Sequence, residues 1–231
     1  MNGRMLVLLS GIVGSTAYGL AHAGSDVDRL GVYAEPTERI LGLRPPGESL
    51  VTTKPDVTMH EAAKFCRLTL RCNPSVTETL WLDGYEVCTP LGEELIGIRS
   101  AFLSAARVRN AYLGYATSQF KKLRDRGDGT FSADLRKRTE KHARHLVRLI
   151  QQGEELHATG ALTIRLAEPD RVRDMGAWIA DQPDRALVLI SRSESRFDKP
   201  GVLPAVPDEP AVEAWLQRVR AAHYTPPKGT D

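Results

Sequence analysis

The chain has 231 residues, 42% of them hydrophobic and 26% charged, with a formal net charge of +2. That composition suits an ordinary globular protein, long enough to bury a core as one domain or as two small ones. It excludes a disulfide scaffold, because Cys66, Cys72 and Cys88 form no paired framework and no CxxC. It also excludes a membrane-spanning helix, since no run approaches about 20 apolar residues.

In chain order, Met5–Leu9 reads as a buried first strand. Arg4, this apolar run and Ala21-His22-Ala23 imitate a signal peptide. Ser10, Gly11 and Gly14 interrupt the run, however, and a strand leading into a phosphate loop is the expected reading. Ser15–Ala21 follows as a short helix and Val27–Tyr33 as a second strand. Residues 35–49, with Pro36, Pro45, Pro46 and Gly47, read as loop. Val51–Thr53 and Val57–His60 are expected strands flanking a turn at Lys54-Pro55. Apolar spacing turns helical over 61–71, and Asn73-Pro74 marks a helix start for Pro74–Trp81. Residues 93–122 form one long helix or two. A turn at 125–129 separates them from a helix beginning near Ser132. Ala161–Leu166 and Ala186–Ile190 read as strands, 200–210 as a Pro-rich connection, Ala211–His223 as a final amphipathic helix and 225–231 as a tail. The expected architecture is α+β: a small mixed-sheet core over residues 1–90 and a mainly helical region over 91–231.

The chemistry concentrates near the amino terminus. If Asp26 and Asp28 lie on a strand, they emerge on one face while Val27 packs inward. Two adjacent carboxylates repel unless a cation lies between them, and Mg2+ prefers carboxylate and phosphate oxygens. Gly14 and Ser15 allow backbone N–H groups and a hydroxyl to approach a phosphate closely. No GxGxxG, Gly-Lys-Ser/Thr or HExxH spacing points elsewhere. Between Lys121 and Arg148, ten Lys or Arg stand against four acids, an excess that attracts phosphates or simply faces solvent. On a helical wheel, Ala143, Leu146, Val147 and Ile150 form an apolar stripe. Lys137, Lys141, Arg144, His145 and Arg148 lie opposite it.

Gly14-Ser15, a spacer of about ten residues and Asp26-Val27-Asp28 resemble the signature of the DNA polymerase beta nucleotidyltransferase superfamily. The longer text, Gly14-Ser15-Thr16-Ala17-Tyr18-Gly19 with Ser25-Asp26-Val27-Asp28-Arg29-Leu30-Gly31-Val32, is similar to the YcgL-like bacterial and phage predicted nucleotidyltransferases of RNA-repair-associated type. The likeness continues through Lys64–Leu68, Asn73-Pro74, Glu78–Leu80 and Lys141–Leu149, about residues 5–160 in all. It implies a metal-dependent transfer of a nucleoside monophosphate from an NTP to an acceptor hydroxyl, with RNA the favoured acceptor and Mg2+ or Mn2+ the cofactor. Asp26, Asp28 and a third acid would hold metal. Asp56, opening a strand neighbouring the pair, is the first choice, with Glu61 and then His60 as competitors. Gly14 and Ser15 would meet the phosphates, and the resemblance turns Lys141, His145 and Arg148 towards a nucleotide cleft.

Two other readings stand beside this one. The same core could modify a protein or small molecule, as antitoxin-like or antibiotic-modifying relatives do. Alternatively, the chain could be a non-catalytic nucleotide- or RNA-binding module, which has no need of paired metal carboxylates. Reduced cysteines suit a cytoplasmic location in a bacterium or phage-infected host.

Overall fold

The computed structural model describes residues 6–124 and 133–226. The chain is α+β and divides into two compact units. The first comprises the described residues of Met1–Leu70, Ser75–Phe102 and Pro207–Asp231. The second comprises those of Arg71–Pro74 and Leu103–Val206. The first unit therefore runs past residue 90 and regains the end of the chain.

The first unit opens with β1 (Leu6–Val13), α1 (Gly14–Tyr18), β2 (Asp28–Ala34), α2 (Thr37–Ile40), β3 (Ser49–Thr53) and β4 (Asp56–Glu61). Then come α3 (Ala62–Leu70), α4 (Pro74–Thr77), a 3-10 turn at Glu78–Trp81, β5 (Val87–Cys88) and α5 (Pro90–Gly97). The five strands lie in the order β3-β4-β2-β1-β5. β2 and β4 are parallel, whereas β1/β2, β1/β5 and β3/β4 are antiparallel. The expected hairpin at Lys54-Pro55 is present, and it adds β4 alongside β2. The expected loop at 35–49 contains the α2 turn and the first residue of β3.

In β1 the register shifts between Val7 and Leu9. Both Leu8 and Leu9 are fully buried, a break in simple alternation that a bulge permits. They share the core with Val32, Phe65, Leu80 and Leu95. The last helix of the chain, numbered below, closes this core through Trp215, whose indole N–H donates to Leu91 O at 2.9 Å.

The second unit is helical: α6 (Ala105–Arg124), α7 (Ala133–Thr159), α8 (Pro169–Asp181) and α9 (Arg185–Phe197). α7 packs against the other three. Ala143, Leu146, Val147 and Ile150, the expected apolar stripe, are all buried. A Cβ at Gly153 would lie 2.6 Å from Tyr112 Cβ, so only glycine allows this closeness between α7 and α6. The expected turn at 125–129 falls outside the described residues. α10 (Glu209–Ala222) completes the chain and belongs to the first unit.

Two expected strands are corrected. Ala186–Ile190 is helical, part of α9. Its burial falls on Ala186, Ile190, Ser193 and Phe197, the spacing of one helix face, while Leu187 and Val188 are exposed. Ala161–Leu166 follows Gly160 as irregular backbone outside the sheet. Leu162 and Ile164 are nevertheless buried, so its alternating apolar residues serve packing.

One ion pair ties the chain end to the sheet. Arg220 of α10 donates to both Glu61 carboxylate oxygens, at 2.6 and 3.0 Å, and Glu61 is only 5% exposed. Removing one partner strands the other charge. Arg220→Ala is expected to cost about 3 kcal/mol in urea unfolding, and adding Glu61→Gln should recover part of that loss. Equal stability of Arg220→Ala and the unaltered chain would remove this role.

Candidate active site

β1 ends where it must. Its ladder with β2 runs to the pair Val13↔Asp28, and the next residue, Gly14, turns into α1 with φ of 69°. That left-handed conformation favours glycine. A Cβ at Gly14 would lie 2.3 Å from Asp28 Oδ2. The Asp28 carboxylate thus occupies the space that any other residue at position 14 would fill. This contact joins the Gly-Ser turn and the second aspartate into one place.

α1 is fixed behind the turn. The Tyr18 hydroxyl donates to the buried Glu78 carboxylate at 2.6 Å. The backbone N–H groups of Leu20 and Ala21 both donate to Ser15 O, at 2.8 and 3.0 Å. Beside Asp28, Arg29 Nε donates to both Glu86 oxygens, at 3.0 and 2.9 Å.

Asp56 is brought to the same sheet end as Asp28. β2 and β4 are parallel in the register Arg29↔Val57, and each strand begins one residue earlier, at Asp28 and at Asp56. Adjacent strands are about 4.8 Å apart, and register neighbours share a face. Glu61 closes the far end of β4. Besides Arg220, its carboxylate accepts the Ala63 N–H at 2.8 Å. His60 Nδ1 is 2.8 Å from Ser49 Oγ, and burial, then Lys64, holds the imidazole below its usual range.

Asp26 stands differently from the expectation. β2 starts at Asp28, so Asp26 and Val27 lie in the preceding loop, and Val27 is 38% exposed rather than packed inward. The ladder stops at Val13 because β1 gives way to α1, leaving no strand residue opposite Val27. Asp26 is exposed on this approach. Among the described residues, no group of three or more His, Cys, Asp or Glu side chains is arranged to hold a metal ion.

Lys141, His145 and Arg148 belong to α7 in the second unit, not to the sheet that carries the aspartates. Lys141 is exposed. Arg148 is only 3% exposed, and its Nη1 donates to Gln152 Oε1 at 2.6 Å. Burial, followed by the charges of Arg148, His142, Lys122 and Lys141, pushes the His145 imidazole down to about 3. Cys66 and Cys72 are buried, and burial pushes their thiols up to about 12 and 11. Both suit packing. Cys88 is exposed on β5.

Sequence reasoning missed Arg220 and the partnership of Tyr18 with Glu78. Arg220 carried no local signal, being 159 positions from Glu61. Glu78 lay within the resemblance text, but nothing there said that Tyr18 binds it.

A family model described as RlaP, RNA repair pathway DNA polymerase beta family, matches residues 2–174. No curated protein matches the chain. No helix among the described residues is long and apolar enough to cross a membrane.

Two tests follow from this geometry. Gly14→Ala forces both a left-handed alanine and an overlap with Asp28, at a cost of about 1–3 kcal/mol. In an Asp28→Ala background the overlap is gone, so a double-mutant cycle should show coupling of about 1 kcal/mol. Additive losses would mean that the two residues do not meet. For His145, the folded imidazole stays neutral to about pH 3, whereas the unfolded one takes up a proton near 6.5. Stability is therefore expected to fall as pH drops from about 6.5 towards 3, by up to about 1.4 kcal/mol per pH unit from this group. His145→Gln should flatten that slope in urea midpoints measured from pH 7 to 4.

Proposed function

Because the chain belongs to the RNA repair pathway DNA polymerase beta family, we propose that it moves a nucleoside monophosphate from an NTP to a hydroxyl of RNA. Nucleotidyltransferase character in general comes with the family. The RNA acceptor, the metal and the residue roles are our reading. The observation that carries it is the Asp28 carboxylate lodged against Gly14 at the end where β2 and β4 both begin.

The donor set fits Mg2+. Asp26, Asp28 and Asp56 offer only hard carboxylate oxygens. Mg2+ is commonly held by one or two carboxylates plus substrate phosphates and water, so it needs no closed protein cage. When bound, the metal supplies charge neutralisation at the phosphates and acidifies the attacking hydroxyl. Asp28 is the pre-set member, because Gly14 fixes its position. Asp26, exposed on the loop that leads into β2, would be the second carboxylate to hold the cation. Asp56 stands on the neighbouring strand, where an acceptor hydroxyl would be met and its proton accepted. Gly14 leaves backbone N–H groups open to the phosphates, and the Ser15 hydroxyl donates to one of them.

Asp56 is preferred over Glu61 on energetic grounds. The Glu61 carboxylate already takes a bidentate guanidinium and a backbone N–H. Recruiting it for metal would break a buried pair.

The test is label transfer from each α-labelled NTP, with Mg2+ or Mn2+, into RNA. Asp28→Asn and Asp56→Asn are expected to lower the rate roughly a hundredfold or more while the protein remains folded. Glu61→Gln should lower stability and leave the rate of the folded protein near normal. Label appearing in protein or a small molecule, but not in RNA, would transfer the reading to that acceptor class. Undiminished transfer by Asp28→Asn would end the site assignment.

A further inference from the structure

α9 carries a basic stripe that lies outside the matched residues 2–174. Arg185, Arg192 and Arg196 are spaced i, i+7 and i+11, so at about 100° per residue they lie within about 40° of one another. They extend about 16 Å along the helix. Lys199, just past the helix end, continues the line. The acids Glu194 and Asp198 fall on the other flank, and the core face is Ala186, Ile190, Ser193 and Phe197. Positive and negative charges are therefore sorted to different sides of one exposed helix.

Each end of the stripe has a distinctive structure. At the first, the Arg185 guanidinium lies 4.5 Å from the centroid of the Trp178 ring, while Nη1 donates to Trp178 O at 2.6 Å. Trp178 is 46% exposed, an unusual position for a tryptophan with no core to fill. At the second, Arg196 and Lys199 line an open cleft of about 470 Å³, together with Glu154, His157 and Phe197. Glu154 pairs with Arg196. Glu155, also lining the cleft, accepts from Thr163 N–H and Oγ1 at 3.1 and 2.5 Å. His157 is 8% exposed, and its Nε2 lies 2.9 Å from Lys199 O. Because that carbonyl only accepts, Nε2 is the donor, and Nδ1 is buried with no hydrogen-bond partner.

We infer that the Trp178–Arg185 stack, the α9 arginines and the His157 cleft form a track for single-stranded RNA. The inference rests on the RNA-acceptor reading above. A line of guanidinium groups matches a phosphate backbone. An exposed indole capped by guanidinium offers a surface on which a base of any sequence can stack. The open cleft beside Arg196 and Lys199 gives room for a nucleotide at the far end of the stripe. An acidic protein segment would use the arginines but would carry no row of bases to stack on the indole.

The test is fluorescence anisotropy of a labelled unstructured RNA oligonucleotide against the full chain over a salt series. Thermal melts establish that each variant is folded. Trp178→Ala is expected to weaken binding roughly tenfold, with Trp178→Phe restoring it to within about twofold. Arg192→Glu should weaken it severalfold and reduce the salt slope by about 0.7, the loss of one single-strand phosphate contact. Arg218→Glu, an equal charge change on α10, should leave binding unchanged. Asp28→Asn should bind RNA normally while losing transfer. If RNA binds but the α9 and Trp178 variants match the unaltered chain, or Arg218→Glu weakens binding equally, the track is wrong and the acceptor reading survives. If the unaltered chain binds no RNA at low salt, both fall together.

Discussion

Everything in the proposed site depends on the absence of one carbon atom. Asp28 can end the β1/β2 ladder with its carboxylate set against the turn into α1 only because position 14 has no Cβ. The same residue takes the left-handed turn that ends β1 and begins α1. Two requirements therefore meet at Gly14, one of backbone conformation and one of space. They explain why the Gly-Ser turn and Asp28, separated in sequence, form a single structural element.

The acids of the first unit are sorted by how they are satisfied. Buried carboxylates carry partners: Glu61 has Arg220, Glu35 has Arg39 at 3.0 Å, and Glu78 has Tyr18. A buried charge without such partners would be too costly to keep. Asp26, in the loop before β2, and Asp56, at the start of β4, are exposed instead. The fold gives its buried acids a guanidinium or a hydroxyl and leaves the acids of the proposed site at the surface. This division, more than proximity in sequence, separates Asp56 from Glu61.

Legibility followed the range of the interactions. The Lys54-Pro55 hairpin, the helix start at Pro74 and the apolar stripe of α7 were readable because each is decided by a few neighbouring residues. The Gly-Ser and Asp-Val-Asp elements were readable as a set through their spacing and family resemblance. Val27 was misjudged because alternation presumes a strand, and the strand ends where its neighbour turns away. Ala186–Ile190 was misjudged because an aliphatic run of five carries no period of its own. Only Ser193 and Phe197, further along, reveal the helical face. β5 is two residues long and owes its place to pairing with β1. Arg220 was invisible because its partner lies far away in sequence.

The basic segment shows that a charge count does not say which side chains packing will take inside. Ten cations between Lys121 and Arg148 suggested a face that attracts phosphates or simply meets solvent. Yet α7 is packed by α6, α8 and α9, and a helix enclosed on three sides must take some of its polar stripe inside. Arg148 goes in, finding Gln152, and His145 keeps its neutral form because the nearby cations and the lost water both oppose a further charge. A peripheral helix has no such conflict. α9 buries one narrow stripe and leaves its arginines on a flank that faces water. Burial does not empty α7 of surface charge, however: Arg136, Lys137, Arg138 and Lys141 stay exposed while Arg148 goes in, so both helices keep a charged flank and differ in how much of the stripe packing takes.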